Sequence, residues 1–127
     1  MLFALLLGVA QLAARPPVEA PADGLARPEL RSPPYYAVIL RSAPPCSLGA
    51  TELASAQADF PAREVFSTDF ECAPEANETF TGVRSGLDFI AAYAGRERRE
   101  ATRVLNDVRR RVPDAYLRRM RTLVVAP

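Results

Sequence analysis

Hydrophobic and polar positions change their period several times along the chain, and each change marks an element. Residues 2–10 form an unbroken apolar run that leads into Gln11-Leu12-Ala13-Ala14. An apolar run followed by small residues, here Ala10 and Ala14, is the pattern of a secretory signal. The run is too short to cross a bilayer as a helix, and it lacks a positively charged leader. Residues 15–34 then hold six prolines in twenty positions, a density that prevents a regular helix or ladder. That stretch predicts a disordered or polyproline-like tether. The expected layout is a signal-like segment over residues 1–14, a tether over 15–34 and one folded domain over 35–127.

Within the domain, Tyr35-Tyr36-Ala37-Val38-Ile39-Leu40 is rich in strand formers and bounded by proline pairs on both sides. Residues 48–59 read as a helix, with Ser47 as N-cap and Ala50, Leu53, Ala54 and Ala58 on one side. Residues 63–70 and 87–94 predict a second and a third strand, the latter ending at Gly95. Over residues 97–111 the apolar positions Ala101, Val104, Leu105, Val108 and Val112 recur at helical spacing, opposite a row of arginines. Pro113-Asp114 stops that helix, and residues 115–123 predict a fourth strand. The order β-α-β-β-α-β implies an α+β, ferredoxin-like sandwich, with two helices on one face of a four-stranded antiparallel sheet. The other face is expected to stay open as the binding surface. A long connection, residues 71–86, joins the second and third strands and carries Glu71, Glu75 and Glu78.

Composition narrows the chemistry. The chain of 127 residues is long enough for one domain, and its net charge of +1 argues against a general nucleic-acid surface. The charge is unevenly spread: residues 42–95 hold two arginines against eight acids, and residues 96–127 hold ten against four. The halves attract each other within the fold, or the second offers a basic patch to an anionic partner. All 16 basic residues are arginine and there is no histidine. Histidine is the commonest general base and metal ligand, and two cysteines cannot complete a structural zinc site. With no catalytic constellation or nucleotide-binding fingerprint present, the expectation is a non-enzyme without cofactor or metal.

Cys46 follows the first strand and Cys72 the second. Those strands run parallel in the expected order, so both cysteines lie at one end of the sheet. The third strand separates them by about 10 Å, a gap that loops can close. Beside an export signal, a disulfide is favoured over two free thiols.

Tyr35-Tyr36-Ala37-Val38-Ile39-Leu40-Arg41-Ser42 resembles the first strand of a sporulation-related repeat (SPOR) domain. Phe89-Ile90-Ala91-Ala92-Tyr93-Ala94-Gly95 before a charged helix, and Pro113-Asp114-Ala115-Tyr116-Leu117-Arg118 after it, are similar to the second half of that module. The resemblance covers about residues 35–122. It implies a small domain, exported to the periplasm or envelope of a bacterium, that binds peptidoglycan glycan strands on the open sheet face. The chain has Ile39 where the family often has glutamine, and Arg41 where it tends to have glycine. Alternation puts Val38, Leu40, Ile90, Ala92, Ala115 and Leu117 toward the helices. Tyr35, Ile39, Phe89, Tyr93, Tyr116 and Arg118 then face outward as the expected ligand-binding set. Aromatic rings suit apolar sugar faces and arginine suits carboxylates. The competing reading is an envelope protein-interaction module with no glycan affinity. An RNA-binding sheet is disfavoured, because Ala92 stands where its last aromatic belongs.

Overall fold

The computed structural model describes residues 29–70, 72, 80–84 and 86–125. The signal-like segment and the acids Glu71, Glu75 and Glu78 lie outside the described residues. In chain order the elements are β1 (Glu29–Arg31), β2 (Tyr35–Ala43), α1 (Ala50–Asp59), β3 (Val65–Ser67), β4 (Phe80–Thr81), β5 (Asp88–Gly95), α2 (Arg98–Val108) and β6 (Tyr116–Val125). The strands form an antiparallel sheet in the order β1-β6-β2-β5-β3, with β4 also paired to β6. No described helix is long and apolar enough to cross a membrane.

The four expected strands are β2, β3, β5 and β6, but the sheet does not stop at four. β6 runs ten residues, while β2 pairs only with its first half, Tyr116 to Met120. Its second half needs partners for its backbone N–H and C=O groups. β1 supplies them over Leu123 to Val125 and β4 over Arg121 and Thr122. β1 and β2 differ by one residue in their register on β6 (Glu29↔Val125, Tyr35↔Met120), so they follow the same edge with an irregularity between them. There the buried Ser32 N–H donates to the Thr122 carbonyl (3.0 Å), and its hydroxyl oxygen accepts the Thr122 N–H (2.9 Å). Residues 29–31, inside the stretch expected to be a tether, are therefore part of the sheet. Prolines at an edge and a bulge are compatible with a strand.

α2 forms as its pattern predicts, with Ala101, Val104 and Val108 buried against the sheet and Leu105 and Val112 partly so. α1 differs. Gly49, not Ser47, is its N-cap, and the Glu52 carboxylate reaches back to accept the Gly49 N–H at 3.0 Å. Leu53 and Ala56 face the core, whereas Ala50, Ala54 and Ala58 are exposed. Gln57 fixes the turn that follows: its amide donates to the carbonyls of Phe60 (3.1 Å) and Arg63 (2.8 Å) and accepts the Val65 N–H (3.1 Å).

The sheet separates two apolar clusters. Under the helices lie Val38, Leu40, Ile90, Ala92 and Ala115, with Leu117 packed against them, as alternation predicts. The second cluster is Tyr35, Ala37, Ile39, Phe66, Phe89, Ala91 and Met120. Phe80 seals it, with ring centroids 5.1 Å from Phe89 and 5.9 Å from Phe66. Phe80 sits on β4 and Phe66 on β3, four strand spacings or about 19 Å apart in a flat sheet. The sheet therefore curls over its second face and brings its two ends together.

Candidate functional site

The curl decides which of the expected ligand-binding residues are reachable. Tyr35, Ile39 and Phe89 do lie on the second face but are only 0%, 2% and 3% exposed. The face is not the open platform expected for them. Left uncovered, Tyr35, Ile39, Phe66 and Phe89 would present a large apolar patch to water, and Phe80 and Val83 pack over it instead. Gly82, at φ +83°, makes that return possible. A Cβ there would collide with the Arg119 carbonyl, so the chain crosses β6 at a distance only glycine permits.

Tyr93 and Tyr116 pack at the border of the second cluster and stay half-buried, while Arg118 is exposed. The sheet register relates them. Ala37 stands opposite Tyr93 on β5 and opposite Arg118 on β6, which puts Tyr93, Ala37 and Arg118 in one row across three strands. Tyr116 stands one row away opposite Ile39. The Arg118 guanidinium lies 5.3 Å from the Tyr116 ring centroid, a cation–π contact, and the Tyr116 hydroxyl is 3.3 Å from the Ser42 Oγ.

A second feature lies at the opposite end of that row. Beyond the start of β3, β5 continues to Gly95, and α2 begins soon afterwards. This step leaves a cleft of about 530 Å³ lined by Arg63, Glu64, Tyr93, Arg96, Glu97 and Glu100. Tyr93 faces Glu64 across the strands, its N–H donating to the Glu64 carbonyl at 2.9 Å. Glu100 folds back from the first turn of α2, and its carboxyl occupies the place a Cβ of residue 95 would take. Gly95 is at φ +99°, a conformation that L side chains rarely adopt, and it is this backbone geometry that requires glycine, since the Glu100 side chain would move aside for a Cβ. Burial, and next the Glu100 carboxylate, push the Tyr93 hydroxyl above the usual pKa of 10.0; Arg96 opposes the rise and Glu64 adds to it. Arg63 is held at 3.5 Å by Asp107.

At the other end of the sheet, Cys46 and Cys72 form a disulfide, with Cα atoms 5.0 Å apart, as the strand order implies. Among the described residues, the two non-glycine positions with positive φ, Cys46 (72°) and Phe70 (57°), both lie here. Beside them is a buried polar pair. The Thr68 hydroxyl donates to Asp88 Oδ1 at 3.2 Å and accepts the Phe89 N–H at 3.2 Å, while Asp88 Oδ2 has no partner. No group of three or more potential metal ligands occurs among the described residues.

Sequence reasoning placed Tyr93, Tyr116 and Arg118 on one face but missed Glu64, Glu100 and the Phe80 seal. Glu64 was legible in principle, because it alternates with Phe66. Glu100 depends on how α2 follows the sheet, which no local pattern encodes. Comparison with known protein families, with characterised proteins and with solved structures finds no match.

Proposed function

We propose that the chain is a non-catalytic binding module of the bacterial cell envelope, and that it takes peptidoglycan glycan strands along the accessible border of its aromatic face. The observation that carries this reading is the row Tyr93–Ala37–Arg118 with Tyr116 beside it. Ala37 itself is buried, so the row offers a ligand only its two ends, the Tyr93 ring and the Arg118 guanidinium, two strand spacings or about 10 Å apart. The Tyr93 and Tyr116 rings offer faces to sugar C–H groups, and Arg118 offers paired donors to a carboxylate.

The core strand order β6-β2-β5-β3 supports assigning the domain to the ferredoxin-like class, with β1 and β4 as additions. It is also the arrangement that the SPOR resemblance implies. The Cys46–Cys72 disulfide supports residence in an oxidising compartment outside the cytosol.

The test is co-sedimentation of the full chain with intact sacculi and with sacculi stripped of stem peptides. Glycan binding gives stronger pelleting with stripped material. That pelleting is lost in a Tyr93→Ala, Tyr116→Ala double variant whose circular dichroism still matches the parent. Absence of pelleting with both materials would sink the glycan reading and leave a protein-interaction module in its place.

A further inference from the structure

We propose that the helix-side face of β6, with the start of α2 beside it, is a docking surface for an anionic phospholipid bilayer. This goes beyond the glycan reading, which uses the opposite face of the sheet, and does not depend on it.

Register defines the surface. Met120 belongs to the second cluster, and Thr122 meets Tyr35 on the same side, its Oγ 2.7 Å from the tyrosine hydroxyl. Alternation therefore turns Leu117, Arg119, Arg121 and Leu123 to the helix side. α2 packs chiefly on β5 and β2, so it leaves most of that row uncovered. Its flank toward β6 is marked by Arg109, whose Nε donates to the Ala115 carbonyl at 2.8 Å. Its other flank is turned to β3, where Asp107 holds Arg63. Arg119 is exposed, Arg121 and Leu123 are half-buried, and Leu123 belongs to neither apolar cluster.

Charge decides the class of occupant. Neither β6 nor β4 contains an acid, and neither Arg119 nor Arg121 forms an ion pair among the described residues. Tyr36 stands opposite both Arg119 and Gly95, in a row that links β6 to the start of α2. There Arg96, Arg98 and Arg99 outnumber Glu97 and Glu100. α1, packed over β3 on the other side of the helix layer, carries Glu52 and Asp59 and no basic residue. The domain is polarised across its width, and an anionic surface draws the β6 side toward itself.

A bilayer matches this surface better than an acidic protein segment does. Tyr36, Leu117 and Leu123 set a ring and apolar side chains among the guanidiniums, a mixture suited to the headgroup region. β1 pairs with the second half of β6, Arg31 standing opposite Leu123, so the 28 residues before Glu29 join the domain beside these arginines. They include the apolar run of residues 2–10. An apolar segment and a basic patch together give the two signals that hold a protein on a membrane, where either alone binds weakly.

The experiment is co-sedimentation of the full chain with vesicles of phosphatidylcholine alone and of an equal mixture with phosphatidylglycerol. Binding is expected to be at least tenfold stronger to the anionic vesicles and to weaken as salt rises. Arg119→Gln, at an exposed position, is expected to weaken it about fivefold, and the Arg119→Gln, Arg121→Gln double variant roughly twenty-five-fold. An Arg41→Gln, Arg111→Gln double variant removes the same net charge from the α1 side and should cost about twofold or less. Equal binding to both kinds of vesicle, equal losses in the two double variants, or no binding at all would overturn the proposal. Binding to soluble polyglutamate as tight as to the anionic vesicles, and lost with Arg119 and Arg121, would overturn it in favour of an acidic protein partner.

Discussion

Phe80 and Phe66 hold their ring centroids 5.9 Å apart although they belong to strands at opposite ends of the series β4-β6-β2-β5-β3. This contact turns an open sheet into a curled one and covers half of the residues that alternation marks as outward-facing. It also gives the domain a second apolar core, on the face away from the helices.

Replacing Phe80 by alanine should therefore uncover that core. The expected loss is roughly 2 kcal/mol, below the range for a fully buried phenylalanine because Phe80 is only half-buried. Urea unfolding measures the loss. An accompanying gain in binding of a hydrophobic dye would report the exposed Phe66 and Phe89. A variant as stable as the parent would mean that Phe80 rests on the surface without sealing it.

The disulfide closes a loop across a sequence separation of 26 residues. Chain entropy then gives it roughly 3 kcal/mol, large against the marginal stability of a domain this size. A Cys46→Ser, Cys72→Ser variant should shift the urea midpoint down by a corresponding amount. Substituting glycine at position 46 should recover part of the loss, because residue 46 has φ of 72°. Equal midpoints for the serine and glycine variants would mean that the left-handed conformation does not survive loss of the bond.

Thr68 serves two buried neighbours through one oxygen. Thr68→Val keeps the shape but leaves the Phe89 N–H and the Asp88 carboxylate unserved, at an expected cost of about 2–3 kcal/mol. Thr68→Ser retains both hydrogen bonds and should cost about 1 kcal/mol or less. Thermal unfolding of the two variants separates the hydroxyl's contribution from that of the methyl group.

Tyr93 ionises above the ordinary tyrosine value because of its burial and of Glu100, so the folded state holds the hydroxyl proton more tightly than the unfolded chain does. Its contribution to stability is fully present below pH 10.0 and is lost as the pH rises through the folded-state value. Stability measured against pH should fall more steeply above pH 10 in the parent than in Tyr93→Phe. The tyrosinate absorbance that disappears in the variant should titrate above 10.0. Parallel stability curves would show that the hydroxyl gains nothing from its surroundings.

Much of the fold is written locally. The 3.6-residue period of α2, the apolar runs of β2 and β5, and the proline-bounded ends of β2 follow from side-chain chemistry at neighbouring positions. So does the division of faces: Val38, Leu40, Ile90 and Ala92 lie against the helices, and Tyr35, Ile39, Phe89 and Tyr93 on the other side, because strand alternation has a period of two. The disulfide followed from the strand order once that order was assumed. Alternation, however, assigns a side and not an exposure. Whether Tyr35 and Phe89 meet water depended on Phe80 and Val83, which lie beyond Cys72 in a connection without a clear period. Whether Pro33-Pro34 ended a tether or marked a bulge depended on β6, some ninety residues away, offering Thr122 to Ser32. The cleft at Tyr93 likewise exists because α2 starts beside the strand and Glu100 returns over Gly95. The sequence by itself determined the two helices, four of the strands, the faces of those strands and the favoured cysteine pairing. Only the tertiary structure decided what is covered and what is reachable, because coverage depends on contacts between residues far apart in the chain.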